Sequence, residues 1–170
     1  MHRLQCLRIA CQMQWGLTPS VNYNHLIEQE TGKYPKVQRM IIPIQCQHCD
    51  DAPCQKVCPT GATYKREDGI VLIDAKKCIG CKYCMVACPY NARVINEEGV
   101  PEKCRFCAEY VAQGETPACV STCMNEVRIF GDLDDPASPL HELINNQDVV
   151  QLRPDLNTKP RIYYAKSKRG

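Results

Sequence analysis

CIGCKYCMVACP, residues 78–89, places four cysteines, Cys78, Cys81, Cys84 and Cys88, within eleven positions and closes on Pro89. The spacing is C-x2-C-x2-C-x3-C-P. Thiols set this closely are too crowded for well-formed loop-closing disulfides, and several such bridges would need an oxidising compartment. A structural zinc site usually draws its four ligands from two separate C-x2-C knuckles, whereas here all four cysteines and a terminal proline share one stretch. The pattern fits an iron-sulfur cubane, whose iron is suited by soft anionic thiolates. A zinc-ribbon binding module is the alternative of a different class.

This is the ferredoxin spacing, in which three cysteines on one tight loop hold a cluster and the fourth ligates the cluster of a partner block. Small residues such as Gly80 let the loop wrap closely, with backbone N–H groups aimed at the sulfurs. The partner lies 30 residues upstream. Cys58-Pro59-Thr60-Gly61-Ala62 and Cys88-Pro89-Tyr90-Asn91-Ala92 share the pattern Cys-Pro-x-x-Ala, which points to an internal duplication. Cross-ligation then assigns Cys46, Cys49 and Cys54 with Cys88 to cluster A, and Cys78, Cys81 and Cys84 with Cys58 to cluster B. Each copy continues into a hairpin signal, TYKREDGIVLI around Asp68-Gly69 and RVINEEGVPEK around Gly99.

Leu, Ile, Val and Phe make up only about a fifth of the 170 residues, close to the level at which a chain struggles to bury enough apolar surface to fold. Fourteen cysteines are the obvious compensation. The net charge of +2, with scattered Lys and Arg, implies no nucleic-acid partner. No apolar run reaches the ~18 residues of a membrane span, and the N-terminus lacks the features of a signal peptide. Helix signals are short: RFCAEYVAQG ending at Gly114, ETPACVSTC with Thr116 as cap and Pro117 first, and SPLHELINN with Ser138 as cap and Pro139 first. The last twenty residues read as an extended tail lying on the surface or on a partner. No dinucleotide fingerprint, phosphate loop or Ser/His/Asp arrangement is present, so no organic substrate is expected.

Residues 46–93, with EKCRFC, ETPACVSTC and the tail NTKPRIYY, resemble the iron-sulfur electron-transfer subunits of the molybdopterin oxidoreductase complexes, the dimethyl sulfoxide, polysulfide, thiosulfate and arsenate reductase type. The resemblance implies an α+β fold of two ferredoxin-like modules with four cysteine motifs, the first pairing with the last. The expected division is 46–100 as one module with two clusters, 1–45 plus 101–135 as a second, partly degenerate one, and 136–170 as a helix and extended tail. The implied role is to relay single electrons between a molybdopterin catalytic subunit and a membrane quinone-linked anchor subunit or soluble donor, with no catalytic site of its own. Its implied place is peripheral on the cytoplasmic membrane, on the cytoplasmic face or exported with a signal-bearing partner. A free-standing polyferredoxin is the runner-up.

The sequence departs from that pattern at its start. If Cys11 is the last cysteine of the first motif, the other three belong at positions 1, 4 and 7, which are Met1, Leu4 and Leu7; Cys6 restores no shifted register, because position 3 is Arg3. Cross-ligation gives Cys11 to cluster C with Cys104, Cys107 and Cys119, and leaves Cys123 facing a site without its own ligands. The expectation is three 4Fe-4S clusters, with Leu4 and Leu7 filling part of the vacated volume and Cys6 beside them as a small hydrophobe or a thiol. An incorrect start of the gene, with four clusters in the natural protein, is the alternative.

Four other features carry paired readings. His48 either donates to a cluster sulfur or is simply packed or solvated. Trp15 and Tyr83 are expected as water-excluding core rather than relays. The acidic run Asp132, Asp134, Asp135 reads as a solvated loop, and the terminal KSKRG as a solvated end.

Overall fold

A computed structural model describes residues 5–124, 126–146 and 148–165. The fold is α+β, four separate two-stranded antiparallel ribbons joined by short helices. Helix α1 (Gln5–Trp15) precedes a long ribbon, β1 (His25–Lys33) and β2 (Lys36–Ile44), whose register runs from His25 opposite Ile44 to Lys33 opposite Lys36. Then come α2 (Pro53–Lys56), β3 (Thr63–Lys65), β4 (Val71–Ile73), α3 (Tyr83–Val86), β5 (Arg93–Ile95) and β6 (Pro101–Lys103). The last elements are α4 (Ala108–Val111), α5 (Ala118–Ser121), α6 (Pro139–Asn146), β7 (Val149–Val150) and β8 (Tyr164–Ala165).

The duplication is built into the backbone. Each of α2, β3 and β4 recurs 30 residues later as α3, β5 and β6, and Thr63 pairs with Ile73 as Arg93 pairs with Lys103. Even the turn after the fourth cysteine repeats: Gly61 and Asn91 both take positive φ, a conformation that Gly adopts freely and Asn tolerates. The two short helices pack on each other. Both hairpins therefore stand where the sequence puts them, around Gly69 and Gly99, and both of these glycines have positive φ as well.

The core is small and largely made of cysteine. One cluster joins Cys49, Ala52, Cys54, Val71 and Cys84 beneath Met85 and Tyr90; the other joins Cys11, Val21 and Tyr23 beneath Trp15, Leu17, Val94 and Cys104. Helix α1 packs on α5, and its Leu7, Cys11 and Trp15 recur at i, i+4 and i+8 on one face. Leu7 is only 1% exposed. Met1 and Leu4 lie outside the described residues, as does the terminal KSKRG.

Three expectations need correction. The cap of α5 is Pro117 in an extended conformation without a side-chain hydrogen bond, not Thr116, because proline's fixed φ serves as well just before the helix as inside it. Tyr83, the first residue of the one-turn α3, is 62% exposed and belongs to neither buried cluster. Ser138 does cap α6, accepting the Leu140 N–H at 3.4 Å. The tail is not extended throughout, because a 3-10 turn over Pro154–Leu156 sits between Arg153 and Asn157, both of positive φ; through residue 165 it is tied to the surface of this chain: the Asp50 and Asp51 N–H groups donate to the Lys159 and Thr158 carbonyls, and the Arg161 N–H donates to that of Gln47. Asp132 and Asp135 accept from the backbone of their own turns, as a solvated acidic loop would.

Candidate iron-sulfur centres

All fourteen cysteines lie among the described residues, and none is joined in a disulfide. The second block closes a pocket. Cys58, Cys78, Cys81 and Cys84 line one cavity together with Thr60, Thr63, Ile79 and Arg93. Cys58 arrives from the other block, carried by the turn after α2, and its sulfur accepts the Thr63 N–H at 3.4 Å. The Gly80 N–H reaches Cys78 at 3.5 Å and the Phe106 N–H reaches Cys104 at 3.4 Å, so each loop turns backbone donors toward its sulfurs. Burial works to raise the Cys58 thiol, but the donors from Thr63 and Thr60 bring it down to about 7.

The first block is more enclosed. Cys46, Cys49 and Cys54 are buried and Cys88 is half-buried, all close enough to repel one another as thiolates. Burial first, then the charges of Cys46, Cys54 and Cys88, push the Cys49 thiol up to about 11. The tail contributes here: Thr158 is a hydrogen-bond partner of both Cys49 and the Tyr90 hydroxyl, the latter at 2.6 Å. Ending the chain at Asp155 should therefore uncover this loop and speed, several-fold, the bleaching in air of the cluster expected there. Stopped-flow visible absorption of the truncated and full chains checks this, with unchanged bleaching as the contrary result.

The third set gathers Cys11, Cys104, Cys107 and Cys119. Burial, Cys119 and Cys107 together push the Cys11 thiol up to about 12, and burial with Cys46 and Cys119 raises Cys104 as well. Trp15 stands beside Cys107 and against Tyr110, edge to face at 6.1 Å, with the Arg105 guanidinium 4.8 Å over its ring, as a water-excluding group would. Cys123 is buried just past α5.

Sequence reading missed the cations. Arg93 and Lys103 are 4% and 3% exposed, and no ion pair among the described residues includes either of them. Two Arg93 nitrogens, Nε and Nη2, lack any hydrogen-bond partner. Burial opposes its charge, but Cys54 and Cys84 favour it and win. Arg128 donates to Cys119 at 3.1 Å and to Asn24 and Gln45. His48 is buried: it is 3% exposed, sits edge-on to Phe106, and its Nδ1 accepts the Val71 N–H at 3.1 Å. Its proton is thereby placed on Nε2, which lies beside Cys46 but closes no hydrogen bond of ordinary geometry. A signal existed for Arg93 and Lys103, a strand pair carrying Arg and Lys where the first copy carries Thr and Ile.

Buried cations without carboxylates require an anion, and clustered thiols require a cation to hold them deprotonated. A thiolate-bound iron-sulfur cluster carries net negative charge outward and ferrous or ferric iron inward, so the residues fit it on both counts. The residues thus fit an iron-sulfur protein.

Residues 37–133 match the family described as the 4Fe-4S dicluster domain. The chain is 34% identical to the arsenate respiratory reductase iron-sulfur subunit of a Shewanella species, covering 94% of this chain and 89% of that one. It is 38% identical to a selenate reductase subunit of Mesobacillus selenatarsenatis, covering 92% and 65%, and 51% identical to the thiosulfate reductase electron transfer subunit of Salmonella typhi, covering 65% and 57%. The chain spans less than two thirds of the length of several such relatives. It belongs to the 4Fe-4S dicluster family, among the iron-sulfur subunits of reductase complexes that its cysteine blocks resemble. Among the described residues no helix is long and apolar enough to cross a membrane.

Proposed function

We propose that this chain is the electron-transfer subunit of a molybdopterin oxidoreductase complex, with three 4Fe-4S clusters and the chemistry of the substrate left to a partner. The observation that carries the reading is Cys58 in one cavity with Cys78, Cys81 and Cys84, a cysteine of one block completing the set of the other. Cluster A would be held by Cys46, Cys49, Cys54 and Cys88, cluster B by Cys78, Cys81, Cys84 and Cys58, and cluster C by Cys104, Cys107, Cys119 and Cys11. Bound there, each cluster supplies a one-electron carrier.

The chain's own residues set the order. Cys84 of cluster B feels the charge of Cys54, and Cys104 of cluster C feels that of Cys46, which supports A as the middle station between B and C. The reading divides the chain into a ferredoxin-like module over 46–100, a second over 1–45 with 101–135, and a helix and tail over 136–170. In the second module Cys123 has no companions at Leu4 and Leu7, and an apolar Leu7 inside α1 cannot replace a thiolate.

A molybdopterin catalytic subunit and a membrane anchor subunit are the partners we infer, with the complex peripheral on the cytoplasmic membrane. Affinity capture of the chain from its native source under anaerobic conditions tests this. Recovery of a molybdopterin protein in stoichiometric amount is the expected result; recovery of the chain alone, with its clusters intact, points to a free-standing carrier.

A further inference from the structure

We propose that Arg128 is the positioning residue that holds up the reduction potential of cluster C, its guanidinium bonded to a ligand sulfur as the fixed counter-charge of the electron that cluster takes. This rests on the ligand set proposed above for cluster C. Arg128 donates from Nη1 to the Cys119 sulfur at 3.1 Å. From Nη2 it donates to the side-chain oxygens of Asn24 at 3.2 Å and Gln45 at 2.8 Å. No ion pair among the described residues includes Arg128, so no carboxylate competes with the sulfur for its charge.

Three parts of the chain hold the guanidinium in place. Asn24, 3% exposed, stands just before β1; Gln45 follows β2 and leads into Cys46; Cys119 lies in α5. Two residues past Arg128, Phe130 packs against Phe106 with ring centres 5.7 Å apart, and the Phe106 N–H donates to the Cys104 sulfur. The segment that carries the guanidinium is thus tied to a second cysteine of the same set. The charge is also felt at Cys11, whose thiol has Asn24 as a hydrogen-bond partner. Arg128 therefore acts on ligands that come from α1 and α5 alike.

The repeated blocks supply an independent sign. Arg128 lies five positions past Cys123, as Arg93 lies five past Cys88. Each returns to the third cysteine of its own block: Arg128 bonds Cys119, while Arg93 lines the cavity that holds Cys84. Five past Cys58 the position is the neutral Thr63. Opposing effects are weaker. Arg128 is half-buried, so water screens part of its charge, but a bond made directly to sulfur acts at contact distance, where screening is least. The amides on its other nitrogen are neutral and leave the charge uncancelled. Hydrogen bonds to the sulfurs are one of the settings of a cluster's potential, and a cationic donor favours the more negative, reduced form.

Equilibrium titration of the anaerobic full-length protein with dithionite through mediators, followed by electron paramagnetic resonance, tests this. Each cubane takes one electron from the reductant. Cluster C is the signal that Cys107→Ser alters and that Cys49→Ser and Cys81→Ser leave. In Arg128→Met, the reduced-to-oxidised ratio of that signal should fall about tenfold at the potential that half-reduces it in the parent, about 59 mV for a one-electron couple. Arg128→Lys keeps the charge without the fork and should restore part of the ratio, whereas Arg93→Met should leave it unmoved. An Arg128→Met protein with full iron content and an unmoved ratio overturns the proposal. Should Arg128→Met fail to retain cluster C, Arg128→Lys and Arg128→Gln decide: the lysine variant's ratio should exceed that of the uncharged glutamine variant, and equal ratios overturn the proposal. Failure of the underlying ligand set is separate, showing without any change at Arg128 as a cubane signal that Cys107→Ser alters and Cys11→Ser leaves untouched.

Discussion

Removal of iron should unfold the chain. The apolar core consists of two small groups in which half or more of the buried side chains in one, and one of three in the other, are cysteines. Without iron these groups become clustered thiols in a chain that also buries Arg93 and Lys103, two cations with no carboxylate partner among the described residues. A small domain is stable by only about 5–15 kcal/mol. Metal binding in structural zinc domains supplies about 10–16 kcal/mol of folding free energy, and three clusters would supply more than the whole margin. Chelation under reducing conditions should abolish most ordered far-ultraviolet circular dichroism and all near-ultraviolet signal from Trp15. Native-like spectra after complete iron loss would contradict this.

Replacing one cysteine should damage the cluster of the opposite block. Cys58 follows α2 in sequence but lines the cavity with Cys78, Cys81 and Cys84. Cys58→Ala should therefore cost the chain the signal of cluster B, with a loss of up to four irons, counted as one cubane. The signal perturbed by Cys49→Ala should remain. Cys88→Ala should do the reverse, because Cys88 lies close enough to Cys46 and Cys54 to feel their charge. Spectra of the single variants showing Cys58 and Cys49 on the same centre would refute cross-ligation.

Much of this was legible because the information is local and repeated. The quartet spacing, the two Cys-Pro turns and the hairpins at Gly69 and Gly99 each depend on a few adjacent residues, and the 30-residue repeat checks them twice. Helix α1 was not legible: it has no acidic first turn, and Cys11 drew attention as a ligand rather than as one step of the Leu7, Cys11, Trp15 face. The β1–β2 ribbon is exposed over most of its length, so no alternation of apolar and polar residues marks it. The tail's place is set by backbone hydrogen bonds to a loop more than 100 positions away, which no sequence window contains. The burial of Arg93 and Lys103 was missed, the one mark of it in the sequence being charge at two hairpin positions where the first copy carries Thr63 and Ile73.

The central claim is that three cysteine quartets, completed across blocks, each hold one cubane. Iron and acid-labile sulfide, determined per chain on anaerobically purified full-length protein alongside its Mössbauer spectrum, test it most directly. About twelve irons and about twelve sulfides, all in 4Fe-4S form, are predicted from three quartets. About sixteen irons, or zinc with no labile sulfide, would contradict it.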